Sequence, residues 1–199
     1  MKLILASQSP RRHELLKNVG YDFDVLTVKV SEILKENLNL AEQIMAVAET
    51  KGVSVAQSGK LLKNKNYLIF SADTLVILEG QVMGKPKNLQ EAEKFIRRLS
   101  GRTHSVITGI CFLLYPSLQS FKYCEESKVT FRDLSEDEIK NYASTKEGLD
   151  KAGGYAIQEK GSALVKEVQG SLTNIIGLPM ELFEKVMKEN GWDKYFRKS

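Results

Sequence analysis

Histidine and cysteine are both scarce in this 199-residue chain, with two of each, and there are only four prolines and one tryptophan. Cys111 and Cys124 form no CxxC pair, so neither a disulfide framework nor a thiolate metal site is expected. Cys111 lies inside an apolar run and reads as a reduced core residue. His13 and His104 stand far apart, which leaves little for a histidine zinc site or a histidine-dependent triad. No apolar run approaches the eighteen or so residues of a membrane span. Only Met1-Lys2 precedes the first apolar run, so no signal peptide fits and a reducing cytoplasm is the expected location. The formal net charge is +4. That excess suits a small anionic ligand and is too small for a nucleic-acid coat protein; no basic stretch is interleaved with aromatics. Carboxylates and lysines are left to carry any chemistry.

A 42% hydrophobic and 27% charged composition is that of a globular protein. With no repeat and no low-complexity linker, residues 1–199 read as a single domain. Leu3-Ile4-Leu5-Ala6 is an uninterrupted apolar run, as in a buried strand. Ser9 then reads as a helix N-cap, with Pro10 as the first helical residue. Arg11 and Arg12 follow in the first turn, where cations oppose the helix dipole at roughly 0.3–1 kcal/mol each. An anion held by free backbone N–H groups, the hydroxyls of Ser7 and Ser9 and both guanidiniums would reverse that penalty. The bland alternative is a pair of solvated arginines.

Farther along, Tyr21 to Val25 alternates like a strand, and Glu32 falls in a weakly periodic stretch read as a loop. Residues 40–56 form an amphipathic helix with Ile44, Val47, Ala48 and Val55 on one face, and Lys51 falls in the same stripe. A lysine there either snorkels to the edge or points its ammonium into a polar site. Tyr67 to Phe70 and Leu75 to Leu78 are two strand-like runs separated by Ser71-Ala72-Asp73-Thr74. Asp is depleted in strands and costly to bury unpaired, so Asp73 needs a cap, a cation or a metal. An Asx turn between two strands would supply the first of these. Gly84-Lys85-Pro86 reads as the close of a hairpin.

Asn88 and Ser135, each followed three residues later by glutamate, open two further helices. His104 to Tyr115 and Lys122 to Phe131 read as paired strands. In the glycine-rich stretch 148–177, Tyr155-Ala156-Ile157 and Ala163-Leu164-Val165 are β-like. Gln158, at the end of the first of them, is either an edge glutamine or a second polar residue at a strand end. A last helix starts at Pro179. The class is α/β.

Ser7-x-Ser9-Pro10-Arg11-Arg12, Ala72-Asp73-Thr74, Gly84-Lys85-Pro86, Ser100 to His104, Asp150 to Gly153, Ile157-Gln158 and Gly177-Leu178-Pro179 occur in that order along the chain. Together they resemble the Maf family of nucleoside triphosphate pyrophosphatases. The resemblance implies an elongated, ITPase-like α/β fold: a twisted mixed sheet flanked by helices, with a cleft between two lobes. It implies cleavage of a triphosphate between its α- and β-phosphates, with a divalent cation: Mg²⁺, or Mn²⁺ or Co²⁺ as alternatives. Asp73 is then the general base, Arg11, Arg12, Lys51 and Lys85 the phosphate clamp, and Glu32 a second carboxylate that assists the water or the metal, the latter shared with Asp73. Thr74, Gln158 and Arg11 resemble the branch that prefers dTTP and UTP. Ser71, Ala156, Glu159 and Leu172 depart from the usual family residues, which bears on base preference and not on the reaction. A homodimer with a nucleotide substrate, and no nucleic-acid or membrane partner, is expected. The competing expectation is a nucleotide-binding regulator of septum formation without turnover.

Overall fold

The computed structural model describes residues 1–30 and 38–197. In chain order the elements are β1 (Lys2–Leu5), α1 (Pro10–Asn18), β2 (Asp24–Val25), α2 (Leu40–Ala56), β3 (Tyr67–Leu78), β4 (Gln81–Met83), α3 (Leu89–Leu99), β5 (Thr103–Tyr115), β6 (Ser120–Phe131), α4 (Glu136–Ser144), β7 (Val165–Gln169), α5 (Leu172–Ile176) and α6 (Met180–Glu189). The strands form one mixed sheet in the order β2-β1-β3-β5-β6-β7, with β4 paired to β3. β1 runs parallel to both β2 and β3, whereas β4 and β7 pair antiparallel with β3 and β6. Among the described residues no helix is long and apolar enough to cross a membrane.

Contacts group the chain into two compact units, one of residues 1–73, 108–125 and 177–199, the other of residues 74–107 and 126–176. In the first, strand periodicity sorts side chains onto two faces. Leu3, Leu5, Leu68, Phe70, Ile110 and Phe112 pack with Leu16 of α1 and Phe183 and Met187 of α6. Ile4, Ala6, Ile69 and Leu113 face the other way and pack with Val55 and Ala56 of α2. Helices therefore cover both faces of the sheet. α2 has the predicted bounds and begins with a reciprocal capping box between Asn39 and Glu42.

In the second unit α3 packs on α4, and Arg97 makes a bidentate pair with Glu136 (2.8 and 2.6 Å). α4 carries the expected Ser135–Glu138 capping box. At the start of α3, Asn88 accepts from Glu91 N–H, but the Glu91 carboxylate takes the N–H of Lys87 instead of closing the box on Asn88.

Four local expectations are corrected. Ser71 to Thr74 is no junction between two strands: β3 is a single twelve-residue strand, and Asp73 lies in its middle. The Glu79-Gly80 turn closes the β3–β4 hairpin, and Gly84-Lys85-Pro86 comes after it. Tyr155-Ala156-Ile157 is not a strand. Gly153 and Gly154 both adopt positive φ, and the Ala156 N–H is taken by the Tyr142 hydroxyl instead of a neighbouring strand (2.9 Å). Of the alternating run from Tyr21, only Asp24 and Val25 enter the sheet, while Tyr21 makes an isolated bridge to Arg197.

Candidate active site

The register of β1 on β3 sets the geometry. Leu5 is opposite Phe70, and the Ala6 N–H donates to the Phe70 carbonyl (2.7 Å). β3 continues past that level while β1 ends. The loop Ser7-Gln8-Ser9 therefore leaves the sheet alongside the strand that goes on to Asp73. Pro10 starts α1 immediately afterwards, with Ser9 at the N-cap. Ser9 makes no side-chain cap bond; instead its N–H donates to the Ser7 hydroxyl (3.2 Å).

Arg12 is buried. Its Nε–H donates to the Gly177 carbonyl (2.7 Å), and another guanidinium N–H donates to the Ser7 hydroxyl (3.1 Å). The turn before α6 thus holds this arginine in place against the β1–α1 loop. Nothing local points to that carbonyl beyond the Gly177-Leu178-Pro179 break, because the two segments lie 165 residues apart. Arg11 is half-buried.

Lys51 and Asp73 meet directly, with Nζ 2.6 Å from Oδ1. Their side chains are only 15% and 14% exposed. The ammonium on the apolar stripe of α2 therefore enters a polar position on the sheet instead of snorkelling to the rim. Asp73 is tolerated mid-strand because this cation covers one of its oxygens. Thr74 follows it, half-buried.

The remaining candidates belong to the second unit. Lys85 is exposed after β4, next to buried Pro86. The Gly153 N–H donates to the Gly84 carbonyl (3.0 Å), which ties the Lys85 turn to the 152–158 segment. Gly153 has φ +73°, and a Cβ there would lie 2.9 Å from Val76 Cγ1, so only glycine fits this approach. Gln158 is exposed in the turn beyond Ile157. The segment is fastened on its other side by Glu147, whose carboxylate accepts the N–H groups of Lys160 and Gly161 (both 3.3 Å). Tyr155 bonds His104 Nε2 through its hydroxyl (2.7 Å). Glu32 lies outside the described residues.

No group of three or more His, Cys, Asp or Glu side chains that could hold a metal ion occurs among the described residues. Asp73, with one oxygen on Lys51, still offers a hard oxygen donor. A carboxylate oxygen of this kind is the donor type that hard divalent cations such as Mg²⁺ take.

The model of the family described as Maf-like protein matches residues 2–190. A dTTP/UTP pyrophosphatase of Caldicellulosiruptor bescii is 40% identical over 192 residues, covering 96% of each chain. A dTTP/UTP pyrophosphatase of Bacillus velezensis is 40% identical over 188 residues, covering 94% of this chain and 96% of the other. Among solved structures, the Ham1 protein of Staphylococcus aureus superposes with a TM-score of 0.50 at 14% identity, covering 96% of this chain and all of that one. That last likeness is one of fold.

Proposed function

The chain belongs to the Maf family, and from that premise we propose that it hydrolyses nucleoside triphosphates, dTTP and UTP foremost, to the monophosphate and pyrophosphate. The observation that carries this reading is the half-buried Lys51–Asp73 pair, set beside the β1–α1 loop in a chain 40% identical to dTTP/UTP pyrophosphatases along nearly its whole length. Clearing the nucleotide pool of such triphosphates is the role that follows. A regulator that only binds nucleotide is not favoured, since binding alone has no use for a carboxylate held by a lysine in the middle of a buried strand.

In the proposed mechanism Asp73 accepts a proton from a water molecule through the oxygen that Lys51 leaves open. The water oxygen forms the new bond to the α-phosphorus. The bond from that phosphorus to the bridging oxygen breaks, and pyrophosphate leaves with the electron pair. Arg11, Arg12, Lys51 and Lys85 bind the phosphates and offset charge on the leaving group. The Ser7 and Ser9 hydroxyls lie on the loop that leads into the first turn of α1, where the arginines stand. Thr74 and Gln158 read the base, where hydrogen bonds discriminate strongly because a wrong base leaves polar groups unpaired. A divalent ion, Mg²⁺ in the first instance, would be held by Asp73 and Glu32 and would supply charge neutralisation on the triphosphate. The protein acts in the cytoplasm, as a homodimer.

The test is pyrophosphate release from dTTP, UTP, CTP, GTP and 7-methyl-GTP with Mg²⁺, run beside Asp73→Asn. Release from dTTP and UTP, lost in Asp73→Asn while nucleotide binding persists, is the expected result. Binding without release from any of the five would return the regulator reading to first place.

A further inference from the structure

A second contact between the same strand and helix lies beneath the Lys51–Asp73 pair. Ser71 is fully buried, and it shares a face of β3 with Asp73, two residues on. Its hydroxyl donates to the Ala48 carbonyl of α2 (2.6 Å). One turn farther along α2, Lys51 reaches Asp73 over the same distance. One face of one strand therefore grips one helix at two adjacent points, and only the second of them touches the chemistry.

The packing around Ser71 has no slack. Ile44, Ala48 and Gly52 are spaced at i, i+4 and i+8 and form one ridge of α2. A Cβ on Gly109 of β5 would lie 2.7 Å from the Ile44 carbonyl carbon and oxygen, so the helix backbone rests directly on that strand. A Cβ on Gly52 would lie 3.2 Å from the Ser71 hydroxyl. The ridge thus meets the sheet at a glycine, at the Ser71 hydroxyl and at a second glycine. The hydroxyl takes a second lone pair on a carbonyl inside the helix, so losing it need not break the helical ladder. Cys111, fully buried on β5, also hydrogen-bonds Ser71, and burial pushes its thiol up to about 12.

We propose that Ser71 is a positioning residue for the hydrolysis: by bonding the Ala48 carbonyl it sets the register of α2 on β3, and so the placement of the Lys51 ammonium on Asp73. This rests on the function proposed above, and it moves Ser71 from the base preference expected of its departure from the family residue to the hydrolysis itself, because the side chain is buried against α2. Without the bond, α2 remains folded and seated on Gly109, but Lys51 is no longer held to one oxygen of Asp73. Small misplacements of a catalytic group are costly in rate.

The experiment compares the unsubstituted protein, Ser71→Ala, Gly52→Ala and the double variant for kcat, KM and thermal midpoint with dTTP and Mg²⁺. Ser71→Ala is expected to lower kcat roughly tenfold with KM within about twofold of the parent. In the double variant the alanine methyl enters the space left by the hydroxyl, and alanine replaces glycine within a helix, so the midpoint recovers. The proposal requires kcat to stay low there. Recovery of kcat together with the midpoint would show that Ser71 acts through stability alone, and the proposal falls. An unchanged kcat in Ser71→Ala, with the parent active, overturns it as well while leaving the functional reading intact. No pyrophosphate from the parent would overturn that reading, and this inference with it.

Discussion

Mild acid should weaken this protein through His104. The imidazole is 2% exposed, Nε2 bonds the Tyr155 hydroxyl, and Nδ1 is buried with no hydrogen-bond partner. The rings of Phe131 and Tyr155 stand edge-on to it, with centroids 5.2 and 5.4 Å away. Burial alone pushes its pKa down to about 4 from 6.5. Between those values the unfolded chain binds a proton that the folded chain refuses, so stability rises with pH across the window. The contribution is complete above 6.5 and is lost as pH falls towards 4. A gap of this size is worth about 3 kcal/mol, a large fraction of a typical domain's stability. Urea denaturation at pH 7.5, 6.5, 5.5 and 4.5 measures it, with His104→Phe as the comparison that keeps the ring and removes the proton site. The parent should lose about 2 to 3 kcal/mol more than the variant over that range. The chain has only two histidines, so the His104 resonance is identified by its absence from the variant. An imidazole that titrates near 6.5, or equal pH slopes in parent and variant, would refute the reasoning. The cost falls on the 152–158 segment, because Tyr155 is the residue His104 holds.

Two further perturbations separate the parts of the site. Lys51→Ala should lower kcat roughly a hundredfold while raising KM much less, since the lysine is held on Asp73 and, on the proposed mechanism, also meets the phosphates; steady-state kinetics on dTTP would show a KM effect alone if the lysine only bound substrate. Gly153→Ala forces a Cβ into Val76 at a positive φ and should cost about 2 kcal/mol. Because the same residue's N–H holds the Lys85 turn, KM should rise for every triphosphate in that variant; an unchanged KM in a folded protein would count against the coupling of turn and segment.

The parts of this molecule that could be read from its sequence are those governed by short-range rules. The bounds of α2 follow from the 3.6-residue period, and the same period placed Lys51 among apolar neighbours before any partner for it was known. Ser135 and Glu138 are three residues apart, and their capping box formed as expected. Asp73 was singled out because a carboxylate between two apolar runs demands compensation. The misreading there was local as well: a strand interrupted by Asp looks like two strands until a cation 22 residues away is supplied. Tyr155 to Ile157 failed for the opposite reason. Its apolar pattern suits a strand, but two glycines at positive φ and a tyrosine hydroxyl 14 residues away satisfy the backbone in another manner.

What could not be read is how elements distant in sequence approach one another. Gly52, Gly109 and Ser71 are unremarkable one by one, and no periodicity joins them. Their importance comes from a helix lying so close to two strands that a methyl group at either glycine would collide or crowd. That closeness is what allows a lysine on one regular element to reach a carboxylate on another, both far too short of solvent to find other partners cheaply. A helix and a strand hold their side chains more narrowly than loops do, and the Lys51–Asp73 pair is built on one of each. Gln158 and Lys85 sit instead on turns that glycines and a glutamate carboxylate fasten from behind. On the function proposed above, substitution in those turns should change base preference while the Lys51–Asp73 pair stays as it is, which the ranking of dTTP, UTP, CTP and GTP in a Gln158→Ala variant would check.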